Sequence, residues 1–125
     1  MLQIFFVGMG GFLGSVTRFL LVGLVQGATN GTFPIGTLVV NVTGCVAIGW
    51  LSQLLEARPF LTGDARAFLV IGLLGGFTTF SAFGNETINL LRHTGTAAAG
   101  ANILAQLTLA IGGVWLGRMG AQLVS

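Results

Sequence analysis

Four apolar stretches occupy nearly the whole chain, and each is long enough to cross a membrane as a helix. They run Leu2–Val25, Pro34–Leu55, Ala67–Leu91 and Ala97–Val124. Each is near or above the ~20 residues a helix needs to span the hydrocarbon. The connections are short: Gln26–Phe33, with Asn30-Gly31 as its turn signal, then Glu56–Arg66 and Arg92–Thr96. Pro34 suits the first turn of the second helix, where a missing N–H costs little. Nothing is left over for a soluble domain, so residues 1–125 read as a single four-helix transmembrane domain. Composition agrees, because 6% of the residues are charged against roughly 25% in a soluble domain. Met1-Leu2-Gln3-Ile4 has no basic flank and no small-residue cleavage site after it, and is expected to belong to a retained span rather than a signal peptide.

The same composition excludes several functions. Five arginines and no lysine give a formal charge of +2, too sparse for the basic patch of a nucleic-acid binder. The single cysteine, Cys45, lies in an apolar run and offers no disulfide framework. The single histidine, His93, has no Cys or His partner at ligand spacing, which argues against a structural transition metal. No nucleophile–base pair is readable, so no enzyme activity is expected.

One of the four stretches is poorly suited to be an unbroken helix. Residues 75–86 read Gly75-Gly76-Phe77-Thr78-Thr79-Phe80-Ser81-Ala82-Phe83-Gly84-Asn85-Glu86. A diglycine, two β-branched threonines, a serine and another glycine weaken a helix. In lipid, the backbone groups freed by such a break need protein, ions or water as partners. Irregular backbone at membrane depth therefore points to a binding site or a permeation path.

Charge and geometry bear on assembly. With the N-terminus in the cytoplasm, Arg58, Arg66 and Arg118 fall inside, Arg92 falls outside, and Arg18 sits in the outer half of the first span. This bias is weak under the positive-inside rule. It permits insertion both ways and an antiparallel homodimer, or a single topology if the small bias suffices. The middle of the third span falls near Thr79, so the break lies close to the bilayer midplane, where the axis of an antiparallel pair must also lie. Carbonyls converging there from two chains would form an oxygen cage for a small hard cation such as sodium. Glycines four apart recur at Gly10/Gly14, Gly23/Gly27, Gly72/Gly76 and Gly113/Gly117. They predict close helix–helix approach, or reflect only how common glycine is in membrane helices.

Three motifs resemble the Fluc (CrcB) family of small fluoride channels. Gly10-Gly11-Phe12-Leu13-Gly14-Ser15-Val16-Thr17-Arg18 is similar to its GGxxGxxxR element, and Gly36-Thr37-Leu38-Val39-Val40-Asn41 to its GTLxVN element. The third-span segment is similar to its GGxTTFSTF break. The resemblance covers all four spans in order. It implies an all-α, dual-topology homodimer with a broken third helix, in the cell membrane and in bacteria the inner one. It further implies passive fluoride export with two pores per dimer, and a structural sodium ion at the dimer axis held by the main-chain oxygens of Gly75 and Thr78. Two departures stand out: Ala82 replaces a threonine, and Gln106 stands in the fourth span where a small hydroxyl residue is expected.

The residues fit that chemistry. Aromatic edges carry partial positive charge, and Phe80 and Phe83 at i,i+3 could present theirs to one anion path, or could simply pack. Phe77 is assigned to packing. Asn41 and Thr37, one turn apart, offer donors to a dehydrating anion or an interhelical hydrogen bond. Thr79 and Ser81 could donate along the same route or bond back to helix carbonyls. Glu86 is an intramembrane carboxylate, compatible with an anion path only if protonated or hydrogen-bonded by a neighbour. Arg18 is assigned to a vestibule or to a structural pair with carbonyls and Glu86. Two rivals remain in view. A four-helix small multidrug-type, proton-coupled exporter needs a carboxylate in its first helix, and Leu2–Val25 contains none. A non-transporting membrane scaffold accounts for the glycines but leaves the polar break without a purpose.

Overall fold

The computed structural model describes residues 1–125, all of them in helices or in short connections between helices. Helix α1 spans Leu2–Thr29 and ends at Asn30, whose left-handed backbone (φ 47°) suits a short polar side chain. Gln26 then organises the turn: its Nε2 donates to the carbonyls of Gly31 and Phe33, each at 3.0 Å, and its Oε1 accepts from the Gly36 N–H at 3.1 Å. Helix α2 spans Ile35–Ala57, with Pro34 just ahead of its first turn rather than within it.

The third span runs Gly63–His93 and is composite. The Thr62 hydroxyl caps α3 (Gly63–Arg66) by accepting from the Ala65 N–H at 3.2 Å, so this span starts earlier than its hydropathy indicates. A π-helical stretch, Ala67–Leu74, follows and leads into α4, Gly75–Phe77. Thr78 (φ −86°, ψ 158°) and Thr79 (φ −150°, ψ 124°) are extended, and α5 resumes at Phe80–His93. The irregularity expected over residues 75–86 is thus confined to two extended residues, preceded by a widened helix that no sequence signal announced. Gly95 (φ 132°) makes the last turn before α6, Thr96–Gln122.

All four passes are long and apolar enough to cross a membrane, and the protein is a multi-pass membrane protein. Its exterior and interior divide accordingly. Large apolar side chains such as Phe12, Phe19, Leu24, Ile111 and Trp115 point outward. The buried positions are mostly glycine, small residues and the polar Thr37, Asn41, Asn102 and Gln106.

Glycine sets the helix spacing. A Cβ on Gly10 or Gly14 would collide with the backbone of Phe68, Leu73 and Phe77, and one on Gly72 or Gly76 with the backbone of α1. The two glycine pairs therefore face each other and join α1 to the first half of the third span. Gly117 meets Val46 and Trp50 of α2 in the same way, and Gly49 meets Val114 of α6. Gly113 lies slightly farther from α2, against Val42 and Val46. Gly23 and Gly27 touch nothing within the chain, so that pair does not mediate packing here. Overpacking a tight contact costs about 1–3 kcal/mol. Gly14→Ala should therefore lower the detergent unfolding midpoint, read by tryptophan fluorescence, whereas Gly23→Ala should leave it unchanged.

Candidate functional site

The extended pair Thr78-Thr79 lies against α2 at a point where α2 has no side chain. A Cβ on Gly44 would run into the Thr78 methyl, so Gly44 lets the interruption approach. Asn41, one turn earlier in α2, then pairs with it. Its Oδ1 accepts from the Thr79 N–H at 2.9 Å, and its Nδ2 donates to the Thr79 carbonyl at 3.0 Å. A single carboxamide thus satisfies both polar groups of one peptide-chain residue at membrane depth. The same Nδ2 also donates to Gln106 Oε1 of α6 at 3.1 Å, which uses both its hydrogens.

The interruption redirects two helical donors. In a continuous helix the Gly75 carbonyl would accept from the Thr79 N–H and the Thr78 carbonyl from the Ala82 N–H. Asn41 takes the first donor, and the Thr79 hydroxyl takes the second at 3.2 Å as the N-cap of α5. Thr78 turns its own N–H (3.1 Å) and hydroxyl (3.0 Å) back to the Leu74 carbonyl.

Two clefts flank this point. One, of about 360 Å³, is lined by Asn41, Gly75, Thr78, Thr79, Phe80, Phe83 and Gln106 among apolar neighbours. The Phe80 and Phe83 rings are 5.4 Å apart and inclined at 56°; Phe80 is 79% exposed on the single chain. The other cleft, of about 610 Å³, brings Arg18, Thr37, Thr79 and Glu86 together. There the Thr37 hydroxyl donates to Glu86 Oε1 at 2.6 Å, which supplies the neighbouring hydrogen that the carboxylate needs. Glu86 Oε2 and Arg18 Nε are buried without protein partners. Arg18 and Glu86 share this cleft without pairing; the ion pair in the chain joins Arg118 to Glu56, at 2.9 and 3.0 Å, between the ends of α6 and α2. Ser81 is exposed, with its hydroxyl 3.4 Å from that of Thr79. Phe77 packs near Gly44 as assigned.

The sequence-predicted residues therefore gather around one interruption, but two donors are already spent. Asn41 is committed to Thr79 and Gln106, and Thr37 to Glu86. Sequence reasoning did not foresee the Asn41–Gln106 contact or the Asn102 Nδ2 bond to the Thr87 hydroxyl at 2.9 Å. The available signal was a pair of amides four residues apart, Asn102 and Gln106, which places both on one face of an otherwise apolar helix.

Comparison with known proteins gives a consistent relationship. Residues 5–118 match the model of a family described as CrcB-like protein, camphor resistance. A Rhodospirillum rubrum protein named fluoride-specific ion channel FluC is 42% identical over 122 residues, covering 96% of this chain and 95% of its own. An Opitutus terrae protein of the same name is 47% identical over 118 residues, covering 93% and 89%. One from Paramagnetospirillum magneticum is 37% identical and covers 100% and 99%.

Asn41→Leu keeps the bulk but strands both Thr79 groups. Leaving a buried group unsatisfied costs about 1–3 kcal/mol. The unfolding midpoint should fall and hydrogen exchange at the Thr79 amide should accelerate; an unchanged Thr79 exchange rate would show that the pairing does not hold the interruption.

Proposed function

The chain belongs to the CrcB-like family, and from that premise we propose that it is a fluoride-selective channel that exports fluoride passively across the cell membrane and so lowers cytoplasmic fluoride. The observation that carries this reading is the pair of extended residues inside a membrane span, flanked by a cleft holding both ring systems and several hydrogen-bonding groups. A membrane scaffold needs no such interruption. Phe80 and Phe83 offer ring edges to an anion, Thr79 lines the same cleft with the Ser81 hydroxyl 3.4 Å from its own, and α5 begins there with its positive dipole end. Asn41 borders the path and holds its wall in place. Thr37 and Glu86 act as a hydrogen-bonded pair in the neighbouring cleft, which Arg18 also lines as an attractor for anions.

The working unit of this proposal is an antiparallel homodimer inserted in both orientations. The weak arginine bias supports it, as do the exposure of Gly75 and Phe80 on the single chain and the position of the interruption near mid-span. A sodium ion on the dimer axis, held by the carbonyls of Gly75 and Thr78, completes it. Both carbonyls are released from helical donors by the interruption, as are those of Gly76 and Phe77, and carbonyl oxygens are hard ligands suited to a small cation.

Liposomes holding the purified protein should release fluoride when valinomycin and potassium are present, with chloride loss at background. Phe80→Ile and Phe83→Ile keep bulk but remove the aromatic edge. Each should slow fluoride release by at least about tenfold, or ~1.4 kcal/mol at the barrier, without loss of folding. Equal rates for the two anions would refute selectivity, and unaltered flux in both variants would make the rings packing.

Topology is tested by Phe60→Cys in a Cys45→Ala background, labelled from each side of the membrane in turn. Roughly equal labelling is expected, and strictly one-sided labelling would refute dual insertion and the shared cation. The axis itself is tested at Gly75, where an added Cβ would meet only the Val70 carbonyl, at 3.9 Å. Gly75→Leu should therefore leave the single chain folded but disrupt the dimer. Thr78→Ser keeps the hydroxyl bond to Leu74 and should spare it.

A further inference from the structure

Two buried amides on α6 are each half-used, and their loose ends are complementary. Asn102 is 0% exposed and Gln106 is 4% exposed, and the atoms without partners are Asn102 Oδ1 and Gln106 Nε2. The direction of the surrounding hydrogen bonds fixes which atom is which. The Thr79 N–H requires Asn41 to present its oxygen, and Asn41 Nδ2 gives its second hydrogen to Gln106, which must answer with Oε1. At the other end, the Thr87 hydroxyl donates its one hydrogen to the Phe83 carbonyl at 2.7 Å. It can therefore only accept from Asn102, which must answer with Nδ2, at 2.9 Å. Gln106 is left with a donor and Asn102 with an acceptor.

The two residues stand four apart on one helix, where side chains are neighbours. A helical side chain leans over the turn that precedes it, which carries Gln106 toward Asn102. An unpaired polar atom at this burial is costly, and one bond between the two satisfies both. We propose that Gln106 Nε2 donates to Asn102 Oδ1 and closes a relay running Thr79–Asn41–Gln106–Asn102–Thr87 to the Phe83 carbonyl. Asn102 is then a positioning residue for the ring pair. The Asn102–Thr87 bond is the one side-chain hydrogen bond between α5 and α6. Thr79 caps α5 at its first turn, and Thr87 lies two turns farther along, so the relay grips α5 on either side of Phe80 and Phe83. A helix gripped at two points cannot roll about its axis, and the rings keep their separation of 5.4 Å and inclination of 56°. The effect on permeation rests on the channel reading; the relay itself does not.

The test reads the relay, the ring and the flux separately. In wild-type protein in lipid, solid-state NMR should place the Gln106 side-chain nitrogen within about 4 Å of the Asn102 carboxamide carbon, the span of one N–H···O=C bond. Thr87→Val and Asn102→Leu should each shift the ¹³C signals of the Phe83 ring, assigned by their loss in Phe83→Ile. Each should also slow fluoride release from liposomes by about tenfold, the scale of one orienting hydrogen bond at a barrier. Thr87→Ser keeps the hydroxyl and should restore both the ring signals and the flux. A nitrogen–carbon distance well beyond that span overturns the relay. Ring signals and flux unmoved in folded Thr87→Val, or a Thr87→Ser protein that behaves like Thr87→Val, overturn the positioning role. If Asn102→Leu does not fold, the two Thr87 variants decide. Wild-type protein that releases no fluoride refutes the channel reading instead, while the distance and the ring signals still decide the relay.

Discussion

Two consecutive residues can leave the helical conformation inside a bilayer only if their peptide groups find partners, and Asn41 supplies them to Thr79 from a neighbouring helix. The rest of the site depends on this pairing. It diverts the helical donor of Gly75, sets Thr79 as the cap of α5, and fixes which end of Gln106 faces Asn41. It also explains why α2 must come so close: the carboxamide is short, and it reaches Thr79 because Gly44 leaves room for Thr78 one turn away. The helix that carries Asn41 is anchored in turn against α6 through Gly49 and Gly117.

With lipid outside, hydrophobic burial gives little reason for these helices to associate, and close packing has to do it. The chain meets this with two glycine seams, α1 against the start of the third span and α2 against α6. Few large apolar side chains are needed inside; Val40 is the largest apolar residue in the fully buried set. The bidentate Arg118–Glu56 pair, extended to Gln53 at 3.4 Å, ties α2 to α6 again at one end. The pair is exposed, so its own contribution to stability is small.

The passes, their order and the approximate place of the interruption were legible because each rests on a pattern local to the chain: apolar length, glycine spacing, and a run of poor helix formers. Element ends moved by a few residues where side chains such as Thr62 and Gln26 cap or staple the backbone. What sequence could not convey was which partner each polar residue takes. Asn41 and Thr37 read equally well as ligands or as bonds between helices, and the choice depends on contacts 38 to 65 residues away. The π-helical stretch was likewise silent, because Ala67–Leu74 is as apolar as any regular membrane helix. Gly23 and Gly27 show the converse: their spacing matches the other pairs, but no helix of the same chain lies over them.

The glycine seams also govern how such a sequence can diverge over generations. Wherever a backbone sits against another backbone, the hydrogen of glycine is the only side chain that fits, and the alternatives at Gly10, Gly14, Gly49, Gly76 or Gly117 are all too large. On the lipid side the opposite holds, since acyl chains are fluid and accommodate Leu, Ile, Val or Phe alike. Substitution is therefore freer on the outer surface than along the glycine seams.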